Sequence, residues 1–501
     1  MSPVGAEILC PQPDDNLVVA RRDLPAGTGL PGGATLVEPL PAAHKAALRD
    51  IAAGETLRRA GLILGLAATP ISAGARLRPS DIRPTSPVSL PAPATPHPIP
   101  PATFRGFVRE DGRVGTRNFV GVIIASNCGA SAARQAADWF DDERLASFPN
   151  VDGVVPLIHE LGCGMEMTGE PMDLLRRTLS GAIRNPNLAG AVVVALGCER
   201  NNLKVFLEQE RLAVGDRLRT VTIQEAGGIR AAIEAAKAHV EAMLPLADTA
   251  RREDVPVSRL VVGLQTGAAD GFCGFSANPA LGAAVDLLIA QGGTAILSET
   301  PDLLLSGGAF TGRAADAAVA EALRTRLDWW QEYGRGRDVH ANGRLDRAHE
   351  DGGLVSALEK AVDGLSKAGA APLAAVHRYA ERVSGPGLVF MDSPDYDPVS
   401  VTGQMAAGAT LICMTTGTGS TFGSLPAPTI KIAASTEAFR RMADDTDLDA
   451  GPVLDDGVTV QEMGQRIFEA ILRHASGERT RGEVEGMGES EFVPWPIGVF
   501  G

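Results

Sequence analysis

At 501 residues and 45% hydrophobic side chains, the chain can build a large buried core spread over roughly two to four domains. Its net charge of −15 argues against nucleic acid and anionic membrane as partners, and 57 glycines with only 4% aromatics favour close-packed α/β layers over a β-sandwich. No apolar run suits a bilayer span, the first residues lack a signal peptide's basic start and apolar block, and the scattered Cys10, Cys128, Cys163, Cys198, Cys273 and Cys413 read as reduced thiols, so the expected location is the cytoplasm.

The first eighty or so residues carry a weak internal repeat: RDLPAGTGL (22–30), RDIAAGETL (49–57) and TPISAGARL (69–77). Each places Ala-Gly after an aliphatic residue and a leucine three positions on, so Gly27, Gly54 and Gly74 are expected to turn the chain between short strands. Residues 1–85 are read as a small β-rich domain, with His44 and Lys45 between two repeats. Eight prolines in 84–101 predict an extended linker over 86–103. Such a tether lets the module dock on its own or a neighbouring subunit, and a homo-oligomer is expected.

From residue 104 onward, apolar strand-like runs alternate with helical patterns: FVGVIIASNCG (119–129), AGAVVVALGCE (189–199), RLVVGLQTG (259–267), TAILSET (294–300), GLVFMDS (387–393) and ATLICMTTG (409–417). Runs this continuously apolar are covered on both faces, which predicts an α/β region with a mostly parallel sheet, in one or two halves (104–255 and 256–501). AAVAEALRTRLDWWQEY (317–333) and VQEMGQRIFEAILRHASG (460–477) have amphipathic helical spacing.

Polar groups collect where these runs end: Asn127 and Cys128, His159, Cys198 and Glu199, Thr266 and Gly267, Glu299, Asp392, and TTGTGS (415–420). Ligands of open parallel sheets bind at the carboxyl ends of strands, so these residues are expected to share one pocket. Each has a plainer alternative. His159 alone would be a hydrogen-bonded core histidine, each cysteine a small buried hydrophobe, and Glu199 or Glu299 a helix cap. TTGTGS is either a carboxylate or phosphate cradle or a loop. The cysteines lack zinc-knuckle spacing, and an iron–sulfur cluster stays open without any recognised spacing. No GxGxxG follows the first run, so dinucleotide binding has little support.

GFVREDGRVGTRNFVGVIIASNC (106–128), HELGCGM (159–165), VVALGCE (193–199), ANPALGAAVDLLIAQGGTAILSETP (277–301), FMDSPDYDPVSVTGQMAAGATLICMTTGTGSTFGS (390–424) and EFVPWPIGVFG (491–501) resemble the altronate/galactarate dehydratase family. HKAALRDIAAGE (44–55) resembles that family's SAF domain, a β-clip fold. The resemblance implies a hydro-lyase that removes water from a sugar acid to give a 2-keto-3-deoxy acid, with a sulfo-lyase on a sulfolactate-like substrate or a catalytically weak carboxylate binder as alternatives. It also implies a mononuclear divalent metal, expected to be Fe2+, with Mn2+ or Mg2+ as substitutes. Its candidate roles are His44, Lys45, His159 and Glu299 for catalysis and His159, Cys198 and Glu199 for the metal. Asn127, Cys128, Thr415, Thr416, Gly417, Gly419 and Ser420 are the candidates for binding the small hydroxy acid.

Three departures accompany the resemblance. The stretch DLLLSGGAFTGRAA (302–315) lacks the family's Glu-His pair, RLDRAHEDGGL (344–354) replaces a segment rich in Asn, Pro and Gly, and Ala450 stands where a cysteine is expected.

Overall fold

The structure is a computed structural model that describes residues 7–9, 12–83, 85, 94, 99–306, 308–335 and 345–497. Most of the proline-rich stretch expected as a linker lies outside the described residues.

The first α/β half is built on β1 (Phe119–Ile124), β2 (Gly153–Leu157), β3 (Leu188–Ala195) and β4 (Leu218–Thr222), all parallel, in the order β2-β1-β3-β4. Every residue of β1 is buried because both faces are covered. Helices α1 (Ala130–Ala137) and α3 (Ile229–Asp248) pack on one face through Val120, Val122, Ala136 and Val240. Helix α2 (Glu170–Ile183) covers the other face through Leu175 and Leu179. Burying one such aliphatic side chain contributes about 1.5–3 kcal/mol. An antiparallel ribbon of Thr103–Val108 with Arg252–Pro256 brackets this half at its entry and exit.

The second half carries β5 (Val261–Thr266), β6 (Thr294–Leu297), β7 (Leu373–His377), β8 (Gly387–Met391), β9 (Leu411–Thr416), β10 (Thr429–Ala433) and β11 (Leu448–Asp449). They form a wholly parallel sheet in the order β7-β8-β6-β5-β9-β10-β11. On one face lie α4 (Ala277–Ala290) and α7 (Val460–Ala475), packed through Leu281, Leu288, Ile467 and Ile471. On the other lies α6 (Asp397–Ala407), which shares a core with α2. The layers therefore run α1/α3, four-stranded sheet, α2/α6, seven-stranded sheet, α4/α7. The expected helix over 317–333 forms as Ala317–Tyr333.

Helices α2 and α6 pass closely enough that a Cβ on Gly181 would lie 2.3 Å from the Ala406 carbonyl oxygen, and the Asn185 amide donates to the Met405 carbonyl at 2.8 Å. Their carboxyl ends are thus neighbours. Their amino ends follow strands β2 and β8, so the two sheets present their C-terminal edges to the same side of the molecule.

The N-terminal module consists of two small antiparallel sheets with their own apolar cores. Gly27, Gly54 and Gly74 all have positive φ, as the repeat predicts, and a Cβ on Gly74 would strike the Thr35 carbonyl oxygen at 1.9 Å. No helix among the described residues is long and apolar enough to cross a membrane.

Candidate active site

The strand-end residues do not share one pocket. Asn127, Cys128, His159, Cys198 and Glu199 lie on the four-stranded edge, whereas Thr266, Glu299 and Thr415–Ser420 lie on the seven-stranded edge. A sequence in which every strand ends alike cannot say how many sheets those strands form.

On the four-stranded edge, His159 is buried, and its Nε2–H donates to the Ile124 carbonyl at 3.1 Å while Nδ1 accepts from the Leu161 N–H at 3.1 Å. Burial pushes its pKa down to about 4, against the bond to Ile124, so it is a neutral ring pinning two loops. Both nitrogens are occupied, which corrects the metal-ligand and catalytic readings of this residue. Glu199 is buried and its Oε2 accepts from the Gly197 N–H at 2.6 Å. Asn127 donates through its amide to Glu160 at 2.9 Å. Cys128 and Cys198 are exposed and Cys163 partly so. Among the described residues, no group of three or more His, Cys, Asp or Glu side chains is placed to hold a metal ion. The implied mononuclear divalent ion therefore does not fit the His159, Cys198 and Glu199 set.

The seven-stranded edge is denser in charge. A cavity of about 400 Å³ opens over β5, β8 and β9, lined by Thr266, His349, Lys360, Asp395, Asp397 and Thr418, among others. Lys360 Nζ lies 2.6 Å from Asp395 and 3.8 Å from Asp302. Burial alone would lower its pKa, but those two carboxylates raise it, so the ammonium stays charged. Below it, Glu299 accepts from Gln265 at 2.6 Å and from Lys367 Nζ at 3.0 Å. Gln265 also donates to Asp397 at 2.7 Å, tying the two carboxyl groups to one amide.

Burial drives the Glu299 pKa well up, Lys367 opposes it, and Asp395, Asp302 and Asp397 push it further. Asp397 is raised to about 6, again by burial, although Gln265 works against the shift. Asp395 is held down despite its burial, chiefly by Lys360. Glu299, pushed well up, thus shares the Gln265 amide with Asp397, raised to about 6, and carboxyl groups shifted in this way are what acid–base chemistry uses. Glu299 also adopts a left-handed backbone (φ 75°) fixed by Ser393, whose hydroxyl accepts from the Glu299 N–H at 3.0 Å. Strained non-glycine residues of this kind cluster at functional sites.

TTGTGS is not an open anion cradle. The Gly417 N–H bonds to the Ala268 carbonyl at 2.8 Å, the Gly419 N–H to Thr416 Oγ1 at 3.0 Å, and Thr415 donates to Asn278 at 2.5 Å. Thr415 and Thr416 are wholly buried, and Ser420 Oγ accepts from the Phe422 N–H. Only Thr418 of this run lines the cavity. The strand-end Asp392 accepts from Thr300 and Trp330, each at 2.6 Å, and Ala450, one of the three departures, is buried.

The module is docked on the second half through helix α5 (Ala357–Leu365). Lys45 Nζ lies 2.6 Å from Glu359 and donates to the Gly353 carbonyl at 2.7 Å, while Arg59 meets Glu359 at 2.7 Å and Asp363 at 2.6 Å. All four side chains are essentially solvent-free. Lys45 is therefore a docking residue with its charge already matched, not a free base. His44 Nδ1 bonds to the Ala42 carbonyl at 3.0 Å, leaving Nε2 buried without a hydrogen-bond partner beside the segment that borders the cavity. Burial lowers its pKa, against the Ala42 bond.

Sequence reasoning found Glu299 but missed Gln265, His349, Lys360, Lys367, Asp395 and Asp397. A signal was present for four of them. PDYDP (394–398) places two acids shortly after a strand end, and Lys360 and Lys367 stand seven residues apart, in α5 and in the turn that follows it.

Three family descriptions cover the chain: the altronate/galactarate dehydratase SAF domain over residues 6–84, the D-galactarate dehydratase/altronate hydrolase second domain over 106–248, and the D-galactarate/altronate dehydratase C-terminal domain over 257–500. Galactarate dehydratase (L-threo-forming) of Escherichia coli strain K12 is 33% identical over 486 residues, covering 93% of this chain and 92% of its own. Altronate dehydratase of Bacillus subtilis strain 168 is 29% identical, covering 93% and 94%. The (2R)-sulfolactate sulfo-lyase subunit beta of Chromohalobacter salexigens is 31% identical, covering 78% of this chain and 96% of its own. The chain belongs to the D-galactarate/altronate dehydratase family and is a lyase of the carbon–oxygen class.

Proposed function

We propose that the chain dehydrates a sugar acid of the altronate or galactarate type to a 2-keto-3-deoxy acid in the cavity over the seven-stranded edge. The observation that carries this reading is the group in which Lys360, Asp395 and Asp397 line the cavity and Glu299, with its carboxyl pushed well up, lies buried behind them on the Gln265 amide that also holds Asp397.

A proton α to a carboxylate is weakly acidic, so its removal needs a base and a fixed cation for the enediolate oxygens. Asp397, ionised above about pH 6, takes that proton. Lys360 faces the carboxylate and the charge that develops on it. Glu299, whose carboxyl is pushed up, is the proposed proton source, and the neighbouring Asp395 relays that proton to the departing β-hydroxyl. One proton leaves carbon, one joins oxygen, the C–O bond breaks, and the enol tautomerises to the keto acid.

Similarity to a sulfo-lyase subunit favours one second reading: a sulfite group leaves from the same β-position. Purified protein is to be screened against aldonic acids, aldaric acids and sulfolactate, with 2-keto acid and sulfite as readouts. Keto acid without sulfite from an aldonic or aldaric acid supports the dehydratase reading; sulfite from sulfolactate alone replaces it.

A further inference from the structure

The proposed reaction uses the carboxyl end of one sheet and leaves the opposite side of the molecule unassigned. A second cavity, of about 300 Å³, opens there beside the carboxyl end of α2 and the amino ends of β3 and β4. Five arginines line it: Arg109, Arg113, Arg184, Arg211 and Arg217. Two lining carboxylates, Glu110 and Asp111, stand against these five guanidiniums. The lining therefore carries a surplus of three positive charges, on a chain whose net charge is −15.

The surrounding backbone orients these guanidiniums without neutralising them. Arg109 donates to the Pro186 carbonyl at 2.7 Å, to Asn118 Oδ1 at 2.9 Å and to the Arg117 carbonyl at 3.2 Å. Arg113 donates to the Arg184 carbonyl, and Arg184 in turn donates to the carbonyls of Glu210 and Arg211. The Glu210 carboxylate accepts from Ser180 at 2.7 Å and does not line the cavity. Arg211 has a left-handed backbone (φ 52°), and among the described residues its guanidinium makes no hydrogen bond or ion pair. A bulky side chain in that conformation is strained, as at many ligand sites. The two ion pairs are weak restraints: Arg217 meets Glu110 at 2.9 Å and Arg113 meets Asp111 at 2.6 Å, both open to solvent. Burial first, then Arg217, pushes Arg109 down to about 10 against Asp152 and Asp111, as expected where like charges crowd together.

We infer that this cavity binds a compact oxyanion with three or more negative charges, of the polyphosphate or polycarboxylate kind. Planar guanidinium forks suit both, because each pairs two N–H donors with two oxygens. The buried Leu188 and Leu218 give the cavity apolar walls, beside which charges are less screened than in open water. The volume lies at the lower end for small-molecule pockets and suits a ligand the size of pyrophosphate or citrate. The acidic remainder of the chain repels an extended polyanion such as a nucleic-acid strand.

The full-length chain is to be titrated calorimetrically with sodium pyrophosphate and, separately, with sodium citrate, at low and at high salt. One equivalent of at least one probe should bind per chain, more weakly as salt rises, and the tighter probe identifies the source of the anion. Arg211→Glu with Arg217→Glu reverses two exposed charges, turns the surplus of three into a deficit of one, and should weaken binding about a hundredfold or more. Arg211→Ala removes a side chain without a partner, should keep the wild-type circular dichroism, and should weaken binding about tenfold. Lys360→Met, in the other cavity, should bind the probe as the wild type does. No binding of either probe, binding that the arginine variants leave unchanged, or binding that Lys360→Met abolishes would each overturn the assignment. None of these readouts depends on turnover, so a chain that binds the probe and dehydrates nothing would sink the proposed function alone.

Discussion

The two sheets end on the same side of the molecule with opposite chemistry. The four-stranded edge carries exposed sulfur, and its one histidine is neutral and committed to backbone. The seven-stranded edge carries buried carboxyl groups and ammonium ions. The difference is one of solvent. An exposed thiol incurs no desolvation cost, whereas burial among like charges is what raises a carboxyl group's pKa. Helix α5 separates the dock from the cavity: Glu359 and Asp363, four residues apart, meet the module's Lys45 and Arg59, while Lys360 lines the cavity.

The largest expected effect comes from breaking the dock. Arg59→Ala leaves Glu359 and Asp363 short of a buried cation and should cost about 3–5 kcal/mol in urea unfolding. A loss under about 1 kcal/mol, as for a surface pair, would mean that the module sits loosely. Next, Lys360→Met should lower kcat by about 10²–10³ with the fold intact, the scale for losing one preorganised charge donor. An unchanged kcat would move the chemistry away from this edge.

How much of this was legible in the sequence follows from the same contrast. Continuous apolar runs announced buried parallel strands, and the Ala-Gly repeat announced the turns of the module, because both are local patterns. Glu299 was legible as a polar residue ending a strand. Lys360 and Asp397 were not, because their roles depend on which strands become neighbours and on a module docking from far along the chain. His159 misled for a related reason: its partners, the Ile124 carbonyl and the Leu161 N–H, are backbone groups that no residue pattern advertises.

His159→Leu sharpens the comparison from the first edge. It strands those two backbone groups and should destabilise the fold by about 1–3 kcal/mol. Metal content per folded chain should not change; a proportional loss would restore the histidine as a ligand.

The most direct test of the central claim is the pH dependence of kcat/KM for the wild type and Asp397→Asn on whichever acid turns over. Asp397 is raised to about 6, so its basic form grows as pH rises through that value, and the wild-type rate should climb with it. The folded chain also holds this proton longer than the unfolded chain does, so stability should fall between about pH 4 and about pH 6 and Asn should remove that slope. The account predicts an acid limb near pH 6 in the wild type, and in Asp397→Asn a rate lower by about a hundredfold or more with that limb gone. A variant with the wild-type rate and the same limb would contradict it.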